Sequence, residues 1–206
     1  MTIAKPDDRV PTCLLFVDGT NLDHRLREAF GRVDVDLKKL FEELGKGCRL
    51  IHVHYFTAPY TRSAETEMHT NQTKALNFLR TLTEVTIHLG RHQPRTIRCR
   101  RPNCSYTYTS YDEKGTDVHA AARLVQSACH KLADRLILVT NDNDFVPAVQ
   151  ICKAEGAQVD IAYVLSSREP FGAQRYRLDS LRKLAGKTTE MTEEWMSGLW
   201  KPPKIS

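Results

Sequence analysis

The chain has 206 residues, 30 Lys and Arg against 25 Asp and Glu, and 41% apolar residues. That composition suits one ordinary domain with a short appended segment and excludes a collagen, a coiled coil or global disorder. No apolar run approaches the roughly 18–20 residues that cross a bilayer, and residues 1–9 lack a secretory leader, so a cytoplasmic protein with no membrane partner is expected.

In chain order, residues 13–17 (CLLFV) read as a buried strand that leaves through Asp18-Gly19-Thr20-Asn21. Helical spacing follows over 22–30 and 37–44, and 49–57 (RLIHVHYFT) alternates into a second strand stopped by Pro59. A helix is predicted over 63–82, with Glu65 and Glu67 in its first turn, then a third strand over 84–89. Residues 95–99 and 106–109 pair as a hairpin. Helix 116–132, strand 135–140, helix 145–154 and strand 158–164 complete the series. Strands apolar on both faces that alternate with helices predict a three-layer α/β/α fold with a mostly parallel central sheet. Residues 1–10 read as an N-terminal arm, 11–185 as the domain with an insertion at about 90–111, and 186–206 as a tail. Within the tail, 186–189 reads as a linker. Met191, Trp195 and Leu199 then form an i, i+4, i+8 helical stripe that packs on its own domain or meets a partner.

The net charge of +5 is not spread evenly, because residues 91–101 (RHQPRTIRCRR) hold five arginines and no acid, a charge equal to the whole excess. Arg91, Arg95, Arg98, Arg100 and Arg101 are therefore candidate phosphate contacts, against the alternative of a solvated loop. Cys13, Cys48, Cys129 and Cys152 sit in apolar stretches and read as core. Cys99 and Cys104 in the basic segment, with His88 and His92 upstream, offer a structural zinc set, against two unligated thiols in a surface hairpin. Tyr106, Tyr108 and Tyr111 follow the arginines, either as stacking platforms for bases or as plain strand packing.

The chemistry concentrates at strand ends. Ligands of parallel sheets bind outside the carboxyl ends of the strands. The first strand runs into Asp18 and strand 135–140 into Asn141-Asp142-Asn143-Asp144, while Asp117 opens the Ala-rich helix. Singly, each acid reads as a turn or helix cap. Together, if the two strands are neighbours, they form a carboxylate pocket whose repulsion a divalent ion such as Mg2+ would relieve while activating water for in-line displacement at phosphorus. The Asp-Gly-Thr motif also resembles haloacid dehalogenase phosphatases, but Phe16 stands where that nucleophile would be. Asp142-Asn143-Asp144 matches the short Asp-x-Asp pair of glycosyltransferases. No phosphate loop, dinucleotide fingerprint, nucleophile elbow or H-E-x-x-H is present.

FVDGTNL (16–22), EKGTDVHAAARLV (113–125) and LILVTNDNDFVPAVQICKAEGAQV (136–159) resemble the three signature blocks of NYN-domain, PIN-like nucleases, in their LabA-like (DUF88) branch. The resemblance spans about residues 10–185. It implies a PIN-like fold and a metal-dependent endoribonuclease that uses Mg2+ or Mn2+ held by Asp18, Asp117, Asp142 and Asp144, with Asn21 holding the first loop and contacting metal-bound water or phosphate. It also places Lys114 at a basic family position near the phosphate. RNA, single-stranded or structured, is the implied substrate, held on either side of the cut by the 91–101 arginines with Arg175 and Arg177. Asn141 and Asn143 replace the family's usual small residues. A catalytically silent RNA- or protein-binding module is the alternative, and a homodimer through the Trp195 and Trp200 segment is a further expectation.

Overall fold

The computed structural model describes residues 9–59, 66–101, 103–166 and 178–202; the expected helix start at 63–65 and the candidate RNA contacts Arg175 and Arg177 lie outside these. Six strands form one parallel sheet: β1 (Thr12–Asp18), β2 (Arg49–Thr57), β3 (Val85–Leu89), β6 (Arg135–Val139), β7 (Gln158–Val164) and β8 (Thr188–Met191). Between β3 and β6, the strands β4 (Arg91–Arg98) and β5 (Thr107–Lys114) make a separate antiparallel hairpin, longer than its sequence signal. The helices are α1 (Gly19–Phe30), α2 (Leu37–Leu44), α3 (Thr66–Leu79), α4 (Thr116–Cys129), α5 (Val146–Ala154), α6 (Asp179–Leu184) and α7 (Glu193–Met196).

Alternation along each strand sends side chains into two apolar layers. Leu15, Val17, Val53, Ile137, Val139 and Val164 face α1, α2 and α3 through Leu22, Leu26, Leu40 and Leu79. Leu14, Phe16, Phe56, Leu136, Leu138 and Tyr163 face α4, α5 and α6 through Leu124, Val149 and Leu181. Each such Leu or Phe contributes about 1.5–3 kcal/mol by leaving water. This is the three-layer arrangement expected from strands apolar on both faces.

The sheet order is β3-β2-β1-β6-β7-β8. From β1 the chain builds outward through β2 and β3, and then returns to β1's other side to build β6, β7 and β8. The order therefore reverses between β1 and β6, and at such a point adjacent connections splay apart and leave a crevice at the carboxyl ends.

The C-terminal segment departs from its sequence reading. Thr188–Met191, expected as linker and helix start, adds as a strand to β7, and the helix is a single turn, Glu193–Met196. The reason is the unpaired edge that β7 would otherwise present, which β-branched Thr188 and Thr189 satisfy in extended conformation. Met191, Trp195 and Leu199 still converge on one core layer, reached by a strand, a turn and a loop rather than a helical stripe. Both tryptophans are spent inside the chain: Trp200 meets Phe30 edge-on at 5.8 Å and carries the Arg32 guanidinium over its ring at 4.5 Å. Trp195 and Trp200 are both partly buried against this core layer. Thr192 caps the last helix by accepting from the Trp195 N–H at 3.2 Å. Thr192→Ala is expected to lower stability by about 1 kcal/mol in urea denaturation, the ordinary worth of an N-cap.

Candidate active site

Asp18 ends β1 and is 3% exposed. One carboxylate oxygen accepts the Asn21 N–H at 3.1 Å, capping α1, and the other accepts the Thr140 hydroxyl at 3.1 Å. Thr140 follows β6, so this bond ties the two strand ends that flank the crevice. Asn21 adds a second tie: its Oδ1 accepts the Asn141 N–H at 2.9 Å. Asn141 in turn reaches β7, donating through Nδ2 to the Val164 carbonyl at 2.8 Å and accepting the Val164 N–H at 3.0 Å. Asp142 donates its N–H to Thr140 Oγ1 and caps a 3-10 turn, Asn143–Phe145, by accepting the Asp144 N–H at 2.9 Å. Capping and site formation are thus the same event for Asp18 and Asp142.

Asp117 enters from the first turn of α4, whose start requires Gly115 at φ 92, a conformation that side chains disfavour. The pocket of about 260 Å³ so formed is lined by Asp18, Thr20, Asn21, His24, Glu113, Thr116, Asp117 and Asp142. Glu113, at the foot of the hairpin, is a fourth carboxylate the sequence reading did not single out. It accepts the Thr20 hydroxyl at 3.2 Å and the Thr116 hydroxyl, joining the α1 and α4 loops to the hairpin. Asp144 sits outside the lining, exposed on the 3-10 turn.

No Lys or Arg lines the pocket among the described residues. Burial pushes the Asp18 carboxyl up to about 7, with Asp117 and Glu113 adding repulsion and the Asn21 and Thr140 hydrogen bonds opposing it. Asp117 is raised by burial first and then by Asp142, Glu113 and Asp144. A bound cation or protonation relieves the repulsion in such a set. Among the described residues no three carboxylate, imidazole or thiol groups close on a common point as a ready cage.

The hairpin leaves from Gly90, where a Cβ would stand 2.3 Å from Thr116 Oγ1, so the crossing admits only glycine without a shift. Cross-strand pairs share a face: Arg98, Thr96 and Tyr111 lie on the side of Glu113, while Arg91, Arg95, Tyr108 and Lys114 lie on the other. Lys114 therefore points away from the pocket, Arg95 has Asp112 at 3.5 Å, and Arg100 and Arg101 stand exposed at the tip. Tyr106 and Tyr108 are exposed and stack at 6.3 Å. The four candidate zinc ligands are not brought together. His88 is in the main sheet, bonded to His54 at 3.1 Å, and His92 is at the hairpin's foot, whereas Cys99 and Cys104 are at its tip, seven or more residues and about 20 Å along a strand.

A family model described as NYN domain matches residues 12–185. No curated protein matches significantly. Among solved structures, the chain is similar to a protein of unknown function from Vibrio parahaemolyticus, at 18% identity and a TM-score of 0.58, over 91% of this chain and 96% of that one. At that identity the likeness bears on the fold alone.

Proposed function

The chain belongs to the NYN domain family, a nuclease-type PIN-like module, and from that premise we propose that it is a metal-dependent endoribonuclease hydrolysing RNA phosphodiester bonds with Mg2+ or Mn2+. The observation that carries the reading is the pocket at the strand-order reversal, where Asp18, Glu113, Asp117 and Asp142 face one another with no Lys or Arg in the lining among the described residues. Asp18, Asp117 and Asp142 would hold the ion, with Asp144 and Glu113 at its border. When bound, it supplies charge neutralisation and Lewis-acid activation of water. Thr140 and the Asn21 N–H fix the Asp18 carboxylate, Asn21 Oδ1 holds the Asn141 backbone so that Asp142 faces Asp18's loop, and Glu113 fixes the rims contributed by Thr20 and Thr116. Arg98, Arg100 and Arg101 on the hairpin hold phosphates flanking the cut, with Arg91, Arg95 and Lys114 behind them, and the exposed tyrosines offer faces to unpaired bases. Among the described residues no helix is long and apolar enough to cross a membrane.

The test is cleavage of end-labelled single-stranded and hairpin RNA with Mg2+, Mn2+ or EDTA. Internal cuts that require the divalent ion are expected. Cutting that persists in EDTA overturns the metal mechanism, and RNA binding without cutting under any ion identifies a silent binding module.

A further inference from the structure

The opposite flank of α4 carries a second polar concavity. α4 covers β1 and β2 with Ala120 and Leu124, while its His119, Arg123 and Gln126, at i, i+4 and i+7, overhang the edge strand β3. With His88 they line an open groove of about 490 Å³. His52 and His54 of β2 alternate onto the same sheet face: His54 Nδ1 and His88 Nε2 are 3.1 Å apart, and His88 stacks on buried Phe56 at 4.5 Å. Strand pairing alone does not require three imidazoles in a row here, and an apolar edge would pack as well.

The groove's chemistry is one-sided. Arg123 donates to Gln126 Oε1 at 2.7 Å and has no carboxylate partner among the described residues. Among the described residues no acid lines the groove, and Glu84 bears on His52. Burial holds His52 and His88 below the usual imidazole range and His54 down to about 3, with Arg123 pushing the same way, so at neutral pH the rings are uncharged and each carries one N–H, one of which is spent in the His54–His88 bond. A half-buried guanidinium with imidazole and amide donors is a surface for phosphate oxygens. Arg123 lies six residues along α4 from Asp117, about 9 Å of helix rise, within reach of a strand leaving the pocket.

We propose that the α4–β3 groove is a backbone subsite, anchored by Arg123 and His88, that binds RNA phosphate beside the scissile bond. This rests on the ribonuclease reading. The experiment is fluorescence anisotropy of a labelled 12-nucleotide RNA in EDTA across a salt series, with the full chain, Arg123→Gln, Arg123→Lys, and Arg49→Gln, which removes the same charge from the exposed start of β2 at the other end of the sheet. Arg123→Gln is expected to weaken binding about 10-fold and to reduce the log–log salt slope by about 0.7, the loss of one single-strand phosphate contact. Arg123→Lys should keep the slope, and Arg49→Gln should change neither quantity. If Arg123→Gln behaves as Arg49→Gln while wild type binds RNA, the subsite falls and the ribonuclease reading stands. No RNA binding by wild type removes both. A calorimetric arm with inorganic phosphate separates the remaining source: phosphate binding lost in Arg123→Gln, with RNA affinity unchanged, makes the groove a free-anion site and overturns the proposal.

Discussion

Asp18→Asn is expected to cut Mg2+-dependent RNA cleavage by about 100-fold or more while making the metal-free protein more stable. The first effect follows from the several kcal/mol that a bound divalent ion contributes to a phosphoryl transition state. The second has the opposite sign because the buried carboxylate is an electrostatic burden without the ion. Its folded pKa of about 7 lies above the ordinary aspartate value of 3.8, so the native state holds a proton that the unfolded chain has released across that window. Stability from this group is therefore full below pH 3.8, falls by about 1.4 kcal/mol per unit as pH rises toward 7, and stays low above it. Asparagine keeps an acceptor for the Asn21 N–H and removes the charge. In EDTA at pH 8 the variant should melt about 5 °C or more above wild type, and the gap should close toward pH 4. A variant that loses activity and also melts lower in EDTA would mean that Asp18 is a structural cap and not a burdened ligand.

A hairpin stripped of Arg95, Arg98, Arg100 and Arg101, each replaced by Gln, is expected to lose about 100-fold or more in RNA affinity at 0.15 M salt, with the single-strand salt slope reduced by about 2 to 3. The four guanidiniums are exposed, and among the described residues only Arg95 has an acid beside it, Asp112 at 3.5 Å. The antiparallel register is carried by backbone bonds, so the melting temperature should hardly move. Equal affinity of the stripped and native chains across the salt series would return the arginines to the status of a solvated loop.

Legibility in the sequence tracked burial. Strands β2 and β7 read to their ends because both faces are apolar or half-apolar and Pro59 or Gly156 punctuates them. The acids of β1 and β6 stood out because a strand apolar to its last residue makes an abrupt polar exit conspicuous. Glu113 was missed for a physical reason: it lies in a polar two-stranded ribbon with no core to phase it, so alternation could not say whether Glu113 or Lys114 faced inward. Its one signal was the downstream Thr116, close enough for its hydroxyl to donate to the carboxylate. The C-terminal strand was missed because Met191, Trp195 and Leu199 fit helical spacing as well as a strand followed by a turn, and the edge of β7 that draws the segment extended is not local in sequence. Nothing near His88 in the chain announces His54, since the two meet only through the β2–β3 register.

The Glu113 anchorage makes the hairpin a lever. Each arm is eight residues, roughly 26 Å at the usual rise of a strand, and the arms join the domain at Gly90 and Gly115. A load on the arginine-bearing tip is delivered, through one carboxylate, to Thr20 above Asp18 and to Thr116 beside Asp117. Grip and pocket geometry are therefore mechanically in series. On the proposed ribonuclease reading, an RNA held at the tip and one too short to reach it would load this carboxylate differently, so cleavage would depend on substrate length.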